Sequence, residues 1–209
     1  MARRQHHYER AFGCYLRDQR LPYVAVNEAR RALLPPSTQL TLNNDKNIKN
    51  FDFVVYNQSD ESHQNLLVEI KGRRLPRLRK ADGTPSKPRL ESWVTLDDVS
   101  ALTDWQSLFG PKYTPVFVFV YWCDDVPPDG LFAEVFAYQS RWYTLRAVTL
   151  EEYKSHMTPR SAKWRTVNLP SKDYERLYRR FVPRNSREGT PFPESTALIQ
   201  SAQTCSVHA

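Results

Sequence analysis

The segment Leu66-Leu67-Val68-Glu69-Ile70-Lys71-Gly72 sets a glutamate and a lysine inside an apolar run that reads as a buried strand. Strand side chains alternate, so Glu69 and Lys71 share one face while Leu66, Val68 and Ile70 line the other. A carboxylate and an ammonium at such a surface need partners, because burying an unpaired charge is strongly unfavourable. A second apolar run, Phe51-Asp52-Phe53-Val54-Val55-Tyr56, brings an aspartate to a neighbouring strand. An ion pair on a solvated face accounts for Glu69 and Lys71 alone. With Asp52 the pattern favours two carboxylates gripping a divalent cation beside a lysine that faces a phosphate.

At 209 residues, 40% hydrophobic and 12% aromatic, the chain can bury one real core. Its net charge of +7 suits a polyanionic partner without requiring one. The start, Met1-Ala2-Arg3-Arg4-Gln5-His6-His7, passes into an amphipathic pattern with no apolar centre, so no cleaved secretion signal is expected. The apolar run from Val116 to Trp122 is far shorter than the about 20 residues that span a bilayer. Cys14, Cys123 and Cys205 are odd in number and widely spaced, which disfavours a disulfide framework or a structural zinc site. The expectation is a soluble cytoplasmic protein without a membrane partner.

Tyr8, Phe12, Tyr15 and Leu16 recur at helical spacing and predict an amphipathic helix over Arg3 to Gln19. Strands follow at Pro22 to Val26 (with an extension toward Leu34 left open), at the Asp52 segment and at the Glu69 segment, the last two as a hairpin. Thr95 caps a helix running to about Phe109, with Asp98 near the capping-box position, and Gly110-Pro111 stops it. Pro115 to Trp122 is apolar on both faces and predicts a fully buried strand. Beyond it, Leu131 to Tyr138, Trp142 to Val148 and Trp164 to Leu169 read as strands. Thr149 and Ser171 read as caps of two further helices, the second reaching Val182. The expected organisation is one domain over residues 1–183, with a core near 3–122, an extension near 123–183 and a disordered tail at 184–209.

This αβββαβ order, with an acid in the first helix, Asp52 on the second strand and Glu69-Ile70-Lys71 on the third, resembles the PD-(D/E)xK, or restriction-endonuclease-like, nuclease superfamily. The likeness covers about Arg3 to Trp122. More narrowly, His7-Tyr8-Glu9-Arg10-Ala11-Phe12-Gly13 resembles the signature of the HYExAFE family. Met157-Thr158-Pro159-Arg160-Ser161 and Trp164-Arg165-Thr166-Val167 resemble that family's later segment. Gly13 stands where the signature has its last acid. The fold class expected is α/β (α+β): an αβββαβ core, a mixed sheet flanked by helices, and a C-terminal α+β extension.

The resemblance implies that Asp52 and Glu69, with the Ile70 carbonyl, bind Mg2+ or Mn2+. Lys71 would orient or activate water and offset charge in the transition state. Glu9 lies three and seven residues from Phe12 and Leu16, at the border of the buried stripe; the resemblance gives it a water-mediated role at the metal, and an exposed acid favouring the helix N-terminus is the plainer reading. Gln106 falls on the apolar side of its helix by wheel position, and the likeness to RecB-type exonucleases makes it a candidate for positioning substrate or lysine. A helix-edge glutamine is the alternative. Gly13 would let the first helix approach the sheet closely, and His6 and His7 read as solvent-facing.

After the lysine, Arg73, Arg74, Arg77, Arg79, Lys80, Lys87 and Arg89 stand against the single acid Asp82, a local charge of +6 across Gly72 to Leu90. Prolines and glycines mark this stretch as a loop suited to a phosphate backbone, against a solvated insertion as the simpler account. Trp93 and Trp105 fit core packing better than base stacking, and Arg176, Arg179 and Arg180 the wet face of the last helix. The function expected is a divalent-metal-dependent nuclease with nucleic acid, foremost DNA, as partner; dimerisation stays open. Two alternatives remain: a nuclease-fold binding module with weak or no catalysis, and an interaction protein whose basic loop meets an acidic partner.

Overall fold

The apolar faces of the strands and helices decide the architecture seen in the computed structural model, which describes residues 6–27, 29, 49–57, 64–75, 90–123, 135–179 and 181. Helix α1 (His6–Asp18) precedes strands β1 (Tyr23–Ala25), β2 (Phe53–Val55) and β3 (Asn65–Arg74). The short β4 (Val94–Thr95) feeds α2 (Leu96–Phe109), then come β5 (Tyr113–Cys123), β6 (Val135–Tyr138), β7 (Arg141–Thr149), α3 (Leu150–His156), β8 (Thr158–Ser161), β9 (Thr166–Asn168) and α4 (Ser171–Leu177). Six strands form a mixed sheet in the order β1-β2-β3-β5-β7-β6, and β4-β9-β8 form a smaller one. The protein is thus α+β, its main sheet flanked by helices.

β3 and β5 run parallel through ten paired positions, Asn65 with Tyr113 to Arg74 with Trp122; the other pairings in the large sheet are antiparallel. Alternation sends Leu66, Val68 and Ile70, with Val116, Val118 and Val120, against Ala11, Phe12, Tyr15 and Leu16 of α1. The opposite face carries Leu67, Phe117, Phe119 and Tyr121 against Val99 and Leu102 of α2, Tyr153 of α3 and Tyr174 of α4. Burial from both sides explains why β5 is apolar without alternation.

Local chemistry closes most of the elements as the sequence leads one to expect. Thr95 is the N-cap of α2 in a full capping box with Asp98, and Gly110 (φ 81°) ends the helix. Thr149 Oγ1 accepts from Glu152 N–H at the start of α3. Ser171, however, is the first residue of α4 rather than its cap; Pro170 precedes it without a side-chain bond. That helix stops at Leu177, short of Val182, because Arg179 turns back to bridge Ala147. β8, which contains Pro159, has no counterpart in the expected strands; it sits at an edge, where a missing N–H is tolerated. The strand expected over Pro22 to Val26 ends at Ala25, and Val26, Asn27 and Ala29 are helical, so no strand continues through them. Residues 30–34, 131–134 and the tail from 184 lie outside the described residues, as does the side chain of His6.

The close helix-to-sheet approach falls at a different glycine from the one expected. A Cβ on Gly72 would lie 2.1 Å from the Tyr8 ring, whereas one on Gly13 would meet nothing nearer than Tyr23 Oη at 3.5 Å. Gly72→Ala therefore drives a methyl into an aromatic ring and is expected to destabilise by about 1–3 kcal/mol. Gly13→Ala, at a helical site with ordinary contact distance, is expected to stabilise by up to about 1 kcal/mol. Urea denaturation of the two variants checks the contrast, and equal effects would contradict it.

Candidate active site

Just before β2 begins, its ladder to β3 changes from backbone to side chain. Asp52 N–H donates to Val68 O at 2.9 Å, but the following β3 donor, Ile70 N–H, is taken by Asp52 Oδ2 at 2.7 Å. The carboxylate is thereby laid along β3 beside Glu69. Glu69 and Lys71 point to the α2 face, and Glu69 is only 5% exposed.

Lys71 Nζ donates to Glu69 Oε1 at 2.8 Å and pairs with Asp98 Oδ2 at 2.7 Å. Lys49 Nζ reaches the same two acids, 3.3 Å from Glu69 Oε1 and in direct contact with Asp98 Oδ1. Asp98 is buried and does two jobs: Thr95 N–H donates to its Oδ2 at 2.9 Å, so one side chain closes the helix cap and holds both ammoniums. Trp105 Nε1–H donates to Lys49 O at 2.9 Å and fixes the segment that carries Lys49. Lys49, Asn50, Phe51, Glu69, Asp98 and Trp105 line a narrow cleft too tight to hold a water molecule.

The titration of these groups follows from who faces whom. Burial works to raise the Asp98 carboxyl, but Lys71 and Lys49 outweigh it and hold that carboxyl well below the ordinary range. Burial likewise works to lower the Lys49 ammonium, and Glu69 and Asp98 reverse the direction and raise it. Asp52 is pushed the other way from Asp98: burial, then the Glu69 and Glu9 carboxylates, raise its pKa well above normal, against the Ile70 N–H and Lys71. Glu69 and Glu9 are thus the charges near Asp52 that a divalent cation would offset. Two carboxylates with water form the hard-oxygen donor set that suits Mg2+. As the side chains lie, Glu69 is turned to its lysines, and among the described residues no three His, Cys, Asp or Glu side chains converge to hold an ion.

The structure brings Asp52, Glu69, Ile70 and Lys71 together, with Glu9 of α1 near enough for its charge to act on Asp52. Gln106 is elsewhere: its side chain is exposed, and Trp105 faces the cleft instead. The buried stripe of α2 runs Asp98, Ala101, Leu102 and Trp105, so position 106 falls past its edge. Arg73 and Arg74 belong to β3 rather than to a loop. The Arg73 guanidinium donates to Gly72 O at 2.8 Å and to Trp93 O, lying 3.9 Å from the Trp93 ring, and is committed inside the protein; Arg74 is exposed, 5.0 Å from the Trp122 ring. Arg77, Arg79, Lys80, Lys87 and Arg89 lie outside the described residues. His7 is half-buried, not solvent-facing: Nδ1 pairs with Tyr143 Oη at 3.0 Å, and burial with Arg141 lowers its pKa. Arg176 is exposed as expected, but Arg179 is half-buried and bonds Glu152 Oε1 at 2.6 Å.

Lys49 and Asp98 are the site residues that sequence reasoning missed. Asp98 carried a signal, since it shares helical phase with Ala101, Leu102 and Trp105; a capping role alone does not require that phase. Lys49 lies in a polar run, Asn47-Ile48-Lys49-Asn50, without any.

Asp98→Asn keeps an oxygen for the Thr95 cap but removes the charge that holds two lysines, and is expected to lose about 3 kcal/mol at neutral pH. The native Asp98 pKa is depressed, so its contribution is full above the unfolded value of about 4 and is lost as pH falls below it. The gap between wild type and Asp98→Asn should therefore narrow in acid. Asp52 has the opposite sign: its raised pKa erodes stability as pH rises through it, so Asp52→Asn should stabilise by about 1 kcal/mol at about pH 8. Denaturant titrations across pH check both, and a gap for Asp98→Asn that holds constant in acid would contradict the ion-pair account.

No helix among the described residues is long and apolar enough to cross a membrane. Compared with known protein families, curated proteins and solved structures, the chain has no significant match.

Proposed function

We propose that this chain is a divalent-metal-dependent nuclease that cleaves phosphodiester bonds in DNA, built on a PD-(D/E)xK core and acting in the cytoplasm. The observation that carries the reading is the Asp52 carboxylate, laid against β3 by Ile70 N–H beside Glu69 and Lys71, with a pKa raised by burial and by Glu69. The order α1, β1 to β3, α2, β5 supports it, as does the contact of Tyr8, from the His7-Tyr8-Glu9 signature, with Gly72 next to Lys71.

Asp52, Glu69 and the Ile70 carbonyl would hold Mg2+ or Mn2+, which would supply a polarised water and counter-charge for a phosphate oxygen. Glu9 adds negative charge at the rim of that site. Lys71, anchored on Asp98, holds its ammonium beside Glu69, where it orients water and offsets charge that builds on the phosphate. Lys49, with half of its side chain in solvent, presents a second cation at the mouth. Arg74 and the basic stretch through Arg77, Arg79, Lys80, Lys87 and Arg89 bind flanking phosphates. One feature favours a second reading, a binding module that does not cut: Lys49 and Lys71 already match the charges of Glu69 and Asp98.

Incubation of labelled DNA and RNA with the protein and Mg2+, Mn2+ or EDTA separates the two. Cleavage that needs metal and falls at least about 100-fold in Glu69→Gln and Lys71→Ala is expected. Salt-sensitive DNA binding without metal-dependent cleavage would replace the nuclease by the binding module.

A further inference from the structure

The turn between β8 and β9 leaves Trp164 68% exposed, the largest apolar side chain in solvent among the described residues. An indole in water forgoes burial, and a cation lies beside this one. Lys163 Nζ lies 5.4 Å from its ring centre, and Arg160 and Arg165 flank it in sequence, both exposed. The turn is held firmly: Trp164 N–H donates to Ser161 Oγ at 3.3 Å, Arg165 N–H to Ala162 O at 3.2 Å, and Leu96 N–H to Arg165 O at 2.9 Å. Arg165 also pairs with Asp97 at 3.2 Å, and β9 pairs with β4, the strand that runs straight into Asp98 and α2.

A chain of contacts links this turn to the site. Arg73 shares the β3 face of Lys71, two residues on, and packs on Trp93 at 3.9 Å; Arg160 approaches the same indole at 5.1 Å. Arg73, Trp93 and Arg160 thus form a cation–aromatic–cation group between the β3 face of Lys71 and the base of the hairpin. We propose that the β8–β9 hairpin is a binding arm for single-stranded nucleic acid, with Trp164 stacking on an unpaired base and Arg160 and Lys163 meeting the adjoining phosphates. Duplex bases are stacked on one another and offer no face to an indole, and an acidic peptide would use the cations but leave the ring without a planar partner. The arm rests on the nucleic-acid reading of the site and specifies its substrate as unpaired strand.

Fluorescence anisotropy in EDTA, with a labelled oligothymidylate of about 20 nucleotides and a blunt duplex of equal length, tests this apart from cleavage. Trp164→Ala should weaken single-strand binding about tenfold and leave the duplex unchanged, with Trp164→Phe within about twofold of wild type. The Arg160→Ala/Lys163→Ala pair should lower the salt slope for single strands by about 1.4, and Lys172→Ala, on exposed α4, should change nothing. Equal binding by wild type and Trp164→Ala, equal losses on single strand and duplex, or Trp164-dependent binding to anionic vesicles without oligothymidylate binding would each overturn the arm. Trp164-dependent binding without metal-dependent cutting would sustain the arm and remove the catalytic reading; cutting that ignores Trp164 would do the reverse.

Discussion

Lys71 is held between two buried carboxylates, Glu69 at 2.8 Å and Asp98 at 2.7 Å, and the charged half of the structure is organised around that contact. A lone ammonium at the base of a sheet would not be tolerated; with Asp98 opposite and Lys49 joining from the loop side, Glu69 can be buried. Because Asp98 is also the capping acid of α2, the helix start and the site share one side chain. The network matches Glu69 and Asp98 with lysines and leaves Asp52 among negative neighbours. Burial, together with that imbalance, raises the Asp52 pKa, and the proposed cation would offset the charge of these carboxylates.

The opposite face solves a separate problem. α1 must lie close to β3 for Glu9 to act on Asp52, and Gly72 allows it by offering the Tyr8 ring a backbone without a side chain. The His7-Tyr8-Glu9 segment thus combines tasks: the His7 and Tyr8 rings lie 3.9 Å apart at a tilt and His7 packs against Trp122 and Tyr143, while the charge of Glu9 acts on Asp52. Site geometry on this face depends on aromatic packing more than on polar bonds.

Much of this was legible in the sequence because strand alternation is strict. Glu69 and Lys71 on one face, the β2–β3 hairpin, the Thr95 cap and the doubly buried β5 all follow from period and cap chemistry. What escaped was set by contacts distant in the chain. Lys49 has no local pattern, and its position is decided by Trp105, 56 residues away. Gln106 and Trp105 differ by one helical step, so a small phase error exchanges an exposed amide for the cleft-lining indole. Arg73 looked like a free phosphate ligand because nothing nearby announces that Trp93 will cover it.

The most direct test of the imbalance at Asp52 is a calorimetric titration of Mn2+ into the wild-type chain and Asp52→Asn, repeated in buffers of different ionisation enthalpy. A saturable site that releases protons on binding in the wild type, and is lost in Asp52→Asn, is the predicted result, since a carboxyl with a raised pKa must give up its proton to hold a cation. Saturable binding that persists unchanged in Asp52→Asn, or none in either protein, would contradict the account.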